Sequence, residues 1–199
     1  MERKGLIICI EGITNSGKST LCNVIEHEKN FILANKMQKN SIVSQRVKTL
    51  TGPVENIEKF DSVTELLLYS TLLSEKSSIV NSLSGDILID RFSLSVFSYF
   101  YCRYNIDIPF LKSIVDYSCR GIVPDVTFFL DVSLETILKR AVQSPFTRKD
   151  IGLEKYYSEL RETYIRFLNN YSKTSYIIDC DRISTKEVYN KICQYMDWS

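Results

Sequence analysis

The chain has 199 residues, 44% of them hydrophobic and 25% charged, so it can bury a sizeable core as one domain over residues 1–199. Its 25 Lys and Arg against 24 Asp and Glu leave a formal net charge of +1. That balance argues against a protein that coats nucleic acid or an anionic membrane, since either leaves a lopsided basic excess. Residues 1–5 lead into an apolar run too short for a signal-peptide core or a membrane span, so a cytoplasmic protein with no nucleic acid and no membrane as partner is expected. Cysteines at 9, 22, 102, 119, 180 and 193 form no C-x-x-C pair and have no histidine cluster beside them, which reads as reduced, packed thiols.

In chain order, the first predicted strand, residues 6–10, runs straight into Glu11-Gly12-Ile13-Thr14-Asn15-Ser16-Gly17-Lys18-Ser19-Thr20. This is G-x-x-x-x-G-K-S between a strand and a helix, a pattern that grips nucleotide phosphates. Gly12 and Gly17 let the main chain curl with its N–H groups aimed at one anion, and the helix that follows adds its positive end. Lys18 is expected on the β- and γ-phosphates and Ser19 on Mg²⁺, with Gly12, Ile13, Thr14, Asn15, Ser16, Gly17 and Thr20 completing the ATP cradle. The competing reading is a plain glycine-containing turn.

A helix is predicted over 18–28, with His27 near its end as a surface charge rather than a catalyst. Residues 31–40 are polar and ambiguous, residues 41–44 read as a further short strand leading to Gln45-Arg46, and a long helix follows over 63–83. The next strand, 86–89, ends in Asp90-Arg91-Phe92. In an open parallel sheet ligands bind at the carboxyl ends of the strands. Asp90 is therefore expected to hold Mg²⁺ directly or through water, and Arg91 to clamp a phosphate; an Asp–Arg surface pair is the alternative. A helix over 93–104 carries an aromatic run from Phe97 to Tyr104, of which Tyr99 is the candidate wall for an acceptor pocket, against plain core packing.

Further elements are helix 109–119, strand 126–130, helix 134–142, helix 153–171, strand 175–178 and helix 185–196. Strands alternating with helices predict an α/β fold, a doubly wound parallel sheet flanked by helices. Between the helices 134–142 and 153–171 lies the basic stretch around Arg148 and Lys149. It reads as a short lid over about 143–152 that surrounds the transferring phosphoryl group with cations and excludes water, or else as a solvated loop. Neither N-K-x-D nor D-x-x-G occurs, which disfavours a GTPase, and no Asp-Glu pair follows an apolar strand as in motor or transport ATPases. A small-molecule kinase survives.

Taken in order, Glu11-Gly12 with Gly17-Lys18-Ser19-Thr20, Glu65-Leu66-Leu67-Leu68-Tyr69, Asp90-Arg91-Phe92, the run from Pro124 to Val132, and Ile178-Asp179-Cys180 resemble the thymidylate kinase family of nucleotide kinases over nearly the whole chain. The resemblance implies that Arg91 binds the acceptor phosphate and that Tyr69 stacks on the acceptor base. Arg46 falls where the family tends to offer another phosphate-binding arginine after its second strand. Arg140 and Arg148 resemble the lid arginines, and Cys180-Asp181-Arg182 the adenine-side loop. The family usually has Asp, a residue that contacts the acceptor sugar, where this chain has Thr14, and a base-reading Arg where it has Leu73. The resemblance also implies a homodimer.

The catalytic group expected from this reading is Lys18, Asp90, Arg91 and Arg148, moving the γ-phosphoryl of Mg·ATP onto a (deoxy)nucleoside monophosphate. One rival is a deoxynucleoside kinase acting on a 5′-hydroxyl, which calls for a general base. Where such enzymes place Glu before Pro-Val, this chain has Gly52-Pro53-Val54, with Glu55 only after it. The other is a non-catalytic nucleotide-binding homologue, suggested by Thr14 and Leu73.

Overall fold

The structure is a computed structural model that describes residues 5–51, 60–141 and 153–198. Five strands, β1 (Ile7–Gly12), β2 (Ile32–Leu33), β3 (Ile87–Asp90), β4 (Val126–Asp131) and β5 (Thr174–Asp179), form one sheet in the order β2-β3-β1-β4-β5. Every neighbouring pair is parallel. Parallel strands need crossovers, and the helices that supply them cover the sheet, which is why β1 reads as a continuous apolar run and is buried along its whole length.

The helices are α1 (Lys18–Lys29), α2 (Ala34–Lys39), α3 (Ile42–Thr51), α4 (Ser62–Ser82), α5 (Ser93–Tyr104), α6 (Ile108–Ser118), α7 (Leu134–Ala141), α8 (Leu153–Phe167) and α9 (Thr185–Tyr195). The α/β expectation and the helices read from periodicity agree with this arrangement to within a few residues at their ends. Large fully buried side chains, among them Phe92, Phe97, Phe100, Phe128, Phe129 and Tyr164, fill the core. Phe129 on β4 stacks on Tyr164 of α8, ring centroids 5.2 Å apart, and so ties that helix to the sheet.

One expected strand is corrected. Residues 41–44 begin helix α3, because the Ser41 hydroxyl accepts from the main-chain N–H of Val43 and Ser44 and thereby caps the helix. Both serine hydroxyls also donate to Glu75 on α4. The second strand is instead the pair Ile32–Leu33, inside the stretch whose sequence was ambiguous. The cysteines agree with expectation: all six are free, and Cys9, Cys22, Cys119 and Cys180 are buried. Burial pushes the Cys9 and Cys22 thiols well above their ordinary range. His27 is exposed beside Glu28.

Candidate active site

The carboxyl ends of β1 and β3 lie side by side, with Ile10 opposite Asp90, so the loop after β1 and the Asp-Arg pair ending β3 meet at one rim of the sheet. Gly12 turns the chain at φ +149°, and a Cβ there would lie 2.7 Å from the Ser16 hydroxyl and 2.8 Å from the Leu130 carbonyl oxygen. Gly17 takes φ +96° at the start of α1, and Asn15 is left-handed at φ +65°. Glycine at both ends is thus a steric requirement of the curl.

Lys18 is 5% exposed, and its ammonium donates to the Ile13 carbonyl at 2.6 Å and to the Ser16 hydroxyl at 3.1 Å. Burial, and then the guanidinium of Arg91, hold its pKa well below the ordinary lysine range. A cation so placed, with neutral partners only, is stabilised by any anion that enters the loop. Ser19 donates to a carboxylate oxygen of Asp90 at 2.6 Å, joining the two motifs that the sequence holds 71 residues apart. The other carboxylate oxygen of Asp90 is buried and has no hydrogen-bond partner among the described residues. Thr20 is exposed in the first turn of α1.

Arg91 is left-handed at φ +62°, a conformation that costs a side-chain-bearing residue roughly 1–2 kcal/mol. Its guanidinium reaches Ser95 at 3.4 Å, Tyr164 at 3.3 Å and the Thr14 hydroxyl at 3.4 Å, all neutral groups. The strained backbone is fixed by residues that the motifs do not announce. The Asn35 amide donates to the Asp90 carbonyl at 2.8 Å and accepts from its N–H at 2.9 Å, as a neighbouring strand would. Lys76 donates to the carbonyls of Asp90 and Arg91. Glu11, fully buried, accepts from the N–H of Phe92 at 2.8 Å and of Ser95 at 3.3 Å, and from the Ser95 hydroxyl.

The Arg140 guanidinium spans from the Asn15 carbonyl, 3.2 Å away, to that of Cys180, 3.4 Å away, bringing the end of α7 between the loop after β1 and the turn after β5. Asp181 accepts from the Ser133 N–H at 2.8 Å, and the hydrogen bonds it receives there hold its carboxyl below the usual range despite partial burial. Asp131, at the end of β4, takes both arms of Arg161 of α8 at 2.6 Å each.

On the other side of Arg91, Tyr69 of α4 stacks on Tyr99 of α5 with centroids 5.6 Å apart. The Tyr99 hydroxyl donates to Glu65 at 3.0 Å, as does that of Tyr104. Burial raises the pKa of Tyr99 far above the tyrosine range. Leu73 is 3% exposed and belongs to the core. Arg46 lies on the exposed face of α3, so it does not follow a strand as expected. Arg148 and Lys149, the lid they were read into, and Gly52 to Glu55 lie outside the described residues. Among the described residues no helix is long and apolar enough to cross a membrane.

Asn35, Lys76, Ser95 and Tyr164 were not singled out by sequence. For Lys76 a signal exists: it follows Tyr69 and Leu73 at i+7 and i+3 on the apolar face of α4, where a charge is out of place. Glu11 stands directly before Gly12 in the motif, and the motif gives it no role.

Known proteins bear on the same features. The family model "Thymidylate kinase" matches residues 10–192. A thymidylate kinase of Prochlorococcus marinus (strain NATL1A) is 31% identical over 185 residues, covering 85% of this chain and 81% of that protein. One from Acholeplasma laidlawii (strain PG-8A) is 27% identical over 183 residues, covering 87% and 90%. The solved thymidylate kinase of Candida albicans shares the fold at a TM-score of 0.73, with 20% identity and 99% of this chain covered against 93% of that one. With the family model spanning the phosphate loop, the Asp-Arg pair and the turn after β5, the chain belongs to the thymidylate kinase family, ATP-dependent phosphotransferases that act on nucleoside monophosphates.

Proposed function

We propose that the chain transfers the γ-phosphoryl group of Mg·ATP to the phosphate of a (deoxy)nucleoside monophosphate held between Tyr69 and Arg91. The observation that carries this reading is the short hydrogen bond from Ser19 to Asp90, which closes the phosphate loop onto the strand end bearing Arg91. Donor and acceptor groups thereby converge on one rim, and in phosphoryl transfer positioning and charge neutralisation supply most of the catalysis.

In this reading the loop amides and Lys18 hold the β- and γ-phosphates, and Arg140 with Asp181 borders the adenine side. Arg91 grips the acceptor phosphate, with Thr14 and Ser95 beside it. Tyr69, backed by Tyr99, offers a flat face to the base. Arg46 is assigned a lesser, outer contact to acceptor phosphate, and Arg148, from its place in the sequence, a contact to the transferring group. Magnesium fits Ser19 and Asp90, since the unpartnered buried carboxylate oxygen and the hydroxyl are hard donors of the kind that share this ion with nucleotide phosphates. When bound, the ion neutralises charge on the phosphate oxygens. A cytoplasmic location and a homodimer accompany the reading, on the strength of the family resemblance.

Leu73 donates no hydrogen bond, so discrimination among bases rests mainly on stacking, and several monophosphates are expected to serve. A screen of ATP consumption over nucleosides and nucleoside monophosphates tests the proposal. Turnover is expected with monophosphates alone; turnover with nucleosides alone, or none at all, refutes it.

A further inference from the structure

Burying an ammonium group is costly unless its protons are directed at acceptors, so a lysine on an apolar helix face needs a reason. Lys76 is 9% exposed on the face of α4 that also buries Leu66, Leu73 and Val80. Among the described residues no carboxylate forms an ion pair with it. Its ammonium donates instead to two consecutive main-chain carbonyls, Asp90 at 3.2 Å and Arg91 at 2.7 Å. Had packing α4 against its neighbouring helices α5 and α6 been the only requirement, an apolar side chain would have met it.

The two carbonyls do not depend on Lys76 equally. Asp90 is already held on both its N–H and its carbonyl by Asn35, and it lies in the parallel ladder opposite Ile10. Arg91 has its N–H tied to the Ile10 carbonyl at 3.1 Å, but beyond it the chain leaves the ladder in a left-handed conformation. The donor that engages the Arg91 carbonyl is Lys76, at the shorter of its two distances.

We propose that Lys76 is a positioning residue for acceptor binding: its ammonium fixes the peptide after Arg91 and so keeps the guanidinium beside Thr14, Ser95 and Tyr164. Tyr69 and Lys76 lie two turns apart on the same helix. The element that offers the base its stacking face therefore also sets the residue that takes the phosphate, and the base-to-phosphate span of a nucleoside monophosphate is measured against one rigid body. This inference rests on the reading of Arg91 as the acceptor-phosphate contact.

The test compares the full chain with Lys76→Met, which keeps the aliphatic stem but donates nothing, and Lys76→Gln, which keeps one donor group. Thymidine monophosphate is the acceptor probe, and ATP affinity is measured separately by calorimetry. For Lys76→Met the acceptor KM is expected to rise about tenfold to a hundredfold, with Lys76→Gln between it and the parent and ATP affinity unchanged in both. An unchanged acceptor KM in Lys76→Met, a parallel loss of ATP affinity, or failure of both variants to fold would overturn the positioning role. Arg91→Ala, run beside them, separates the two failures. If it leaves the acceptor KM unaltered, the reading of Arg91 falls and the inference with it. If it raises the KM while Lys76→Met does not, only the inference falls.

Discussion

Lys18 shows how a single residue carries charge logic that the sequence motif alone does not express. Its ammonium is buried against neutral acceptors and faces the Arg91 guanidinium, so its pKa is held down until an anion arrives. A triphosphate beside it favours the charged form and moves the pKa back up. ATP binding in alkaline solution is therefore expected to take up protons, an effect visible in calorimetry across buffers of different ionisation enthalpy and absent in Lys18→Ala. That variant is also expected to abolish transfer; near-normal turnover would remove Lys18 from the donor site. A lysine with a depressed folded-state pKa makes the empty protein gain stability as pH rises through that pKa toward the unfolded value. Arg91 presents the complementary case, a guanidinium contacted by hydroxyls and forming no ion pair with a carboxylate among the described residues. Arg91→Ala is expected to lower kcat/KM for the acceptor by two orders of magnitude or more, and an unchanged value would exclude it from the acceptor site. Glycines, lysine and serine at fixed spacing made the loop after β1 legible as a candidate site. The residues behind Arg91 were not legible, because Asn35 and Glu11 reach its neighbours Asp90 and Phe92 only once β2, β1 and β3 are side by side, across 55 and 81 positions of chain.

At the level of elements, apolar runs identified four of five strands: β1, β3 and β4 lie inside the sheet and are mostly buried, and the more exposed edge strand β5 still carries the run Tyr176-Ile177-Ile178. β2 escaped this logic, since two residues make no run, and the serine-bounded stretch beside it looked like a strand until Glu75 is seen to take both serine hydroxyls. The start of α9 is set by a local cap. Ser184 accepts from the Glu187 N–H at 3.3 Å while the Glu187 carboxylate accepts from the Ser184 N–H at 2.7 Å, a reciprocal box that the sequence S-x-x-E already announces. Removing the hydroxyl in Ser184→Ala is expected to destabilise the protein by about 1 kcal/mol, since a donor at the start of α9 loses its partner. For a chain of this size that lowers Tm by about 2–4 °C, with the ATP affinity unmoved because α9 carries no loop residue. A change below the resolution of the melting curve would mean that water replaces the cap.

Across the whole molecule, the chain returns four times to the same rim: after β1 with the phosphate loop, after β3 with Asp90 and Arg91, at β4 with Asp131 clasped by Arg161, and after β5 with Asp181. A ligand bound at that rim would meet loops from distant parts of the sequence, so its binding energy is expected to feed into global stability rather than into one element. Such a ligand binds the native state alone and adds RT ln(1 + [L]/Kd), which is about 2.7 kcal/mol at a hundred times Kd. ATP at that excess is therefore expected to raise Tm by roughly 5–10 °C, and the acceptor monophosphate by an increment of its own when added second. Lys18→Ala should lose the ATP increment while keeping the acceptor's, and Arg91→Ala should show the reverse. If each substitution erased both increments equally, donor and acceptor would share one subsite, and the division of the rim between β1 and β3 would be wrong.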